Sequence, residues 1–106
     1  MPQITSAEVT PNPIALGQTG RVQLASTPTQ GGTLSAEVKI SASNDVFFVS
    51  NSKTLTANPN GAKSFKLERR PGPGLTSPHS VVFFISVKET GVAAQSKRER
   101  LVDIAG

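Results

Sequence analysis

Leu34, Ala36, Val38 and Ile40 alternate with Ser35, Glu37, Lys39 and Ser41, four apolar residues at every second position. Alternation of this kind puts successive side chains on opposite faces of an extended backbone, which predicts a strand with one face buried and one in water. Wound into a helix, the same residues would scatter around the axis and leave no apolar stripe. Val22 and Leu24 within Arg21–Ser26, and Phe65 and Leu67 within Ser64–Glu68, repeat the pattern. Ser80–Lys88 (SVVFFISVK) is the most β-prone segment and belongs at the centre of a sheet.

Glycine and proline punctuate these runs. The chain of 106 residues holds 9 Gly and 8 Pro, and 36% of it is hydrophobic against 17% charged. That is enough apolar material for one modest core, so the expectation is a single domain over residues 1–106. Pro11-Asn12-Pro13 ends a weak edge strand over residues 4–9, because two prolines remove backbone donors. Ile14 and Leu16 restart an extended run, and Gly17–Gly20, Thr27–Gly32 and Asn58–Gly61 read as turns. Val46–Val49 is a short β-rich run apolar on both faces. Ser50–Thr56 is polar, with Leu55 as a core anchor, and Arg69–Pro78 reads as a long loop.

The closing stretch, residues 92–104, is ambiguous. Ala93–Leu101 has helix propensity, but its apolar residues do not recur at helical spacing, and the alternation of Leu101-Val102-Asp103-Ile104 favours a strand. One continuous strand would turn Arg98 and Arg100 to the same side as Val102 and Ile104. A bulge within residues 96–100 is therefore expected.

About seven short strands and no convincing helix predict an all-β fold, an antiparallel β-sandwich. Val9-x-Pro11-x-Pro13-Ile14-x-Leu16-Gly17-x-x-Gly20-x-Val22-x-Leu24 resembles the opening of bacterial immunoglobulin-like modules, and the resemblance continues in outline to Leu101–Ile104. It implies a proline-kinked first strand that crosses between sheets, and roles in adhesion, spacing or assembly. The chain departs from antibody-type domains, having no cysteine pair, no core Trp and no Tyr for a tyrosine corner. A short intact sandwich of this kind also resembles virion building blocks such as phage head-decoration or tail proteins.

Templates for catalysis find few of the side chains they need. Zero cysteines exclude disulfides, thiolate metal sites and cysteine nucleophiles. His79, the single histidine, stands at a loop-to-strand junction with nothing to make it a triad base. Seven acidic residues are scattered singly, so a calcium site would rest on Asn44-Asp45 with Asn51, which turn-making explains better. The Gly-rich stretches precede strands, not helices, and offer no helix N-terminus to a phosphate. No cofactor and no metal are expected, and the function class is binding or structural work. The missing Trp and Tyr also lower a glycan-binding role, since those rings are the usual stacking platforms.

Two surface features remain. Four of the five phenylalanines form adjacent pairs, Phe47-Phe48 and Phe83-Phe84. Neighbours on a strand face opposite ways, so one ring of each pair is expected to point outward as a contact for a partner protein, a neighbouring domain or a second copy. Net charge is +4, from 11 basic and 7 acidic residues, with Arg69 and Arg70 near Lys63 and Lys66, and Lys97, Arg98 and Arg100 near the end. As a nucleic-acid or polyanion contact these rank below the rings, since no aromatics interleave with them and the two segments are expected on opposite sheets. No apolar run is long enough to span a bilayer. Met1–Ser6 lacks the features of a signal peptide, which leaves a short intact cytosolic or virion protein, or a module excised from a longer exported chain.

Overall fold

The alternation becomes nine strands in the computed structural model, which describes residues 2–41, 46–50, 52–69 and 79–105. In chain order they are β1 (Gln3–Thr10), β2 (Ile14–Ala15), β3 (Thr19–Thr27), β4 (Leu34–Ser41), β5 (Val46–Phe48), β6 (Thr54–Ala57), β7 (Gly61–Arg69), β8 (His79–Glu89) and β9 (Ser96–Ala105). The count corrects the expected seven. β6 was hidden in a stretch that reads as polar: only Leu55 and Ala57 turn inward, and the two threonines between and before them face water.

One sheet has the order β1-β3-β7-β5 and the other β2-β9-β8-β4-β6. Every pairing is antiparallel except β2 with β9, which is parallel, so the sheets are not purely antiparallel as expected. After Pro11-Asn12-Pro13, whose two X-Pro bonds are both cis, the chain leaves β1 in the first sheet and enters β2 in the second. β5 and β6, neighbours in sequence, also lie in different sheets.

A single cluster of buried residues joins the layers. Val22, Leu24 and Leu67 enter it from the first sheet, and Val38, Val81, Ile85 and Val102 from the second. Its centre is aromatic. Phe48 and Phe65 of one sheet meet Phe83 of the other, with ring centroids 5.4 to 6.1 Å apart and the planes tilted or edge-on. Such pairs add about 0.5–1.5 kcal/mol each beyond the area they bury. Gly20 lies directly opposite Phe65, and the ring occupies the space a side chain at Gly20 would need.

β9 is one unbroken strand paired to β8 from Ser96 to Ile104, so the expected bulge within residues 96–100 is absent. Arg98 and Arg100 do share the side of Val102 and Ile104, and they reach past the core to β1. Arg98 Nη2 donates to the Ile4 carbonyl at 2.9 Å and Arg100 Nε to the Ala7 carbonyl at 2.8 Å. The irregularity sits in the partner instead: the β1 register shifts between Ile4 and Ser6. In a regular strand, carbonyls three residues apart point to opposite edges. The extra residue brings those of Ile4 and Ala7 to the same edge, and both side chains into the core.

Further along, Asn12 closes what the arginines do not. Its Oδ1 accepts from the Asp103 backbone N–H at 3.0 Å and its Nδ2 donates to the Leu101 carbonyl. Ser96 Oγ donates to the Pro2 carbonyl at the other end. One open side of the sandwich is thereby laced from end to end, which blunts two edges that could otherwise recruit a foreign strand.

Candidate interaction face

The outer face of the five-stranded sheet is built by the residues of β8 that do not enter the core. Phe84 stands between Lys39 of β4 and Glu99 of β9, its directly opposite partners, and Val82 stands opposite Leu101. Side chains so paired have Cβ atoms about 5 Å apart, so Val82, Phe84 and Leu101 form one apolar cluster on a central strand and its neighbour. Phe84 is 38% exposed and Leu101 64%, and Val82 is half-buried. Polar groups rim the cluster, among them Ser80, whose hydroxyl donates to Asp103 Oδ1 at 2.6 Å.

The four paired phenylalanines thus separate sharply. Phe48 and Phe83 belong to the core, and Phe47, turned away from it, is still only 6% exposed. Of the two rings turned away from the core, Phe84 is exposed to solvent and Phe47 is covered. Leu101 was not anticipated as a contact. Its signal was available, since a leucine on the solvent side of an alternating strand contradicts the pattern around it.

The basic residues separate as well. Lys97 lies on the same outer face as Phe84, opposite Ser86. Arg98 and Arg100 are held by the β1 carbonyls, which reduces what they offer to a polyanion. Lys63 and Lys66 stand on β7 of the other sheet. The side chain of Arg69 and all of Arg70 lie outside the described residues, as do the side chain of His79 and the trio Asn44, Asp45 and Asn51.

Next to Phe84 the face carries a groove. Lys39, Lys88 and Lys97, with Glu37, Ser86 and Phe84, line a depression of about 420 Å³. A second hollow of about 230 Å³ shares Glu37, Ser86 and Lys88 and extends to Thr56 of β6. The groove follows from residue size. On β8 the short Ser86 stands between the longer Phe84 and Lys88, and its row runs through Glu37 to the short Thr56 of β6.

Glu89, at the end of β8, is the one buried acid among the described residues, and its chemistry is structural. Its Oε1 accepts from the Thr29 N–H at 2.7 Å and from the Thr29 hydroxyl, and Oε2 accepts from the Gln30 and Gly32 N–H groups. The Thr29 N–H, foremost among these donors, holds the carboxyl at about 2, well below its ordinary 4.5, although burial alone would raise it. The carboxylate organises the β3–β4 turn and is sealed by it, so it is not available as a general base.

Among the described residues no three of His, Cys, Asp and Glu come together as a metal cluster, and no helix is long and apolar enough to cross a membrane. Neither a scan of protein-family models nor a search of curated proteins finds a match to this chain.

Proposed function

We propose that this chain is a non-catalytic, immunoglobulin-like module that works by protein–protein contact through the outer face of its five-stranded sheet, as a spacer, adhesion or assembly unit. The observation that carries the proposal is the apolar cluster of exposed Phe84 and Leu101 beside half-buried Val82. Burying Phe83 turns Phe84 to the outer face, where it stays exposed. Each apolar side chain removed from water contributes about 1.5–3 kcal/mol, so three adjacent ones suffice as the centre of an interface whose rim is polar.

The immunoglobulin-like part of the proposal rests on the first strand, which changes sheets at its prolines and continues as β2 alongside β9. Pro2 lies against Ser96, and Ala105 closes the same strand, so the two ends of the described chain sit roughly 30 Å apart at the usual rise per residue. An in-line arrangement suits a spacer or assembly unit.

The test is a paired substitution, Phe84→Ser with Leu101→Ser. Circular dichroism and the unfolding midpoint should stay near those of the parent, while sedimentation and partner retention should show association lost. Association unchanged in the folded variant removes the proposal.

A further inference from the structure

We propose that the groove beside Phe84 receives an acidic, extended segment of a partner protein, one that presents carboxylates and then aliphatic side chains along the same face. This deepens the contact reading above and rests on it. Three lysines converge on the groove from three strands, Lys39 from β4, Lys88 from β8 and Lys97 from β9, against the carboxylates of Glu37 in the groove and Glu99 beside Phe84. The depression is therefore positive, and its wall on one side is the exposed ring of Phe84. Every second residue of an extended segment faces the sheet, so carboxylates among the lysine ammonium groups would bring aliphatic side chains further along that same face over Phe84 and its apolar neighbours.

Charge decides between this occupant and others. A second copy of the chain carries the same net +4, and apposing two such faces would set lysine against lysine. A nucleic acid fits less well. Phe84 is the one large exposed aromatic among the described residues, and Arg98 and Arg100 are already held by β1. Continuation of the groove to Thr56 brings the path to β6, the edge strand of this sheet, where an extended segment finds further polar groups.

The test titrates the 15N-labelled chain with a synthetic peptide of about ten residues, Glu-rich in one half and Leu-rich in the other, beside matched peptides with Gln or Lys in place of Glu. Saturable shifts are expected at the amides of Lys39, Ser86 and Lys97 with the Glu peptide, and binding about tenfold weaker with the Gln peptide. Raising NaCl from about 50 mM to about 500 mM should weaken the Glu peptide roughly tenfold. The variant Lys39→Gln/Lys88→Gln/Lys97→Gln should lose that preference, and the corresponding Arg variant should keep it.

Equal binding of Glu and Gln peptides, or no shift with any peptide, overturns the inference. So does tighter binding of a short single-stranded DNA at the same amides. Concentration-dependent broadening of this face without peptide would assign it to a second copy, which overturns the acidic partner and leaves the contact reading standing. The contact reading itself falls only if the Phe84→Ser/Leu101→Ser variant still associates.

Discussion

Arg98 reaches from the five-stranded sheet to the carbonyl of Ile4 at the edge of the other, and Arg100 repeats the contact at Ala7. Two arginines that alternation places on the core side of β9 thus become a clasp over the flank of the sandwich. Neither is a stray charge in an apolar layer, because each guanidinium ends on a backbone oxygen that the β1 edge would otherwise leave to water.

Removing the clasp should loosen one flank before the whole. Arg98→Ala and Arg100→Ala are each expected to cost about 1.5–3 kcal/mol, the range for a hydrogen bond with a charged donor. Urea unfolding measures the loss, and amide exchange should quicken in β1 well before β8. Lysine at either position should restore less than half, since it lacks the planar fork.

Glu89 makes stability depend on acid. Its carboxyl is held at about 2 in the folded chain against an ordinary 4.5, so its contribution is complete above pH 4.5 and fades as pH falls toward 2. Glu89→Gln should lower the melting temperature at pH 7 by several degrees and flatten the acid limb of the stability curve. Thermal melts from pH 2 to pH 7 check both; an unchanged acid limb would dismiss the role assigned to the carboxylate.

Gly20 should tolerate no side chain. An added Cβ would lie 2.5 Å from Phe65 Cζ and 2.6 Å from Ile14 Cδ1, and both groups are packed in the core. Gly20→Ala is expected to cost about 1–3 kcal/mol through overpacking, measured as a fall in the denaturation midpoint with the slope unchanged.

The Phe83-Phe84 pair offers an internal control. Phe83→Ser removes a ring with no exposure and should cost 3 kcal/mol or more. Phe84→Ser should cost about 1 kcal/mol or less and act on association instead. Equal destabilisation by the two would mean that Phe84 is a core residue after all.

Much of this was legible in the residues. Leu34–Ser41, Thr19–Thr27 and His79–Glu89 became strands because side-chain alternation is a local property of an extended backbone, and alternate apolar residues such as Val22 and Leu24, Val38 and Ile40, and Val81 and Ile85 turned inward together. β6 was missed because an edge strand needs only two inward residues, too few to stand out from a polar loop. Of the four candidate rings only Phe84 is exposed, and adjacency in sequence did not single it out.

What alternation cannot convey is which strand lies beside which. Whether Arg98 and Arg100 force a bulge or find an acceptor depends on β1, more than ninety positions away in the chain for each pair. The same holds for Phe47 and Phe84, equivalent in sequence and opposite in exposure. The chain alone determined two layers of strands with a shared apolar interior; long-range pairing decided which of its rings and charges are left for a partner, because exposure is set by neighbours and not by the residue itself.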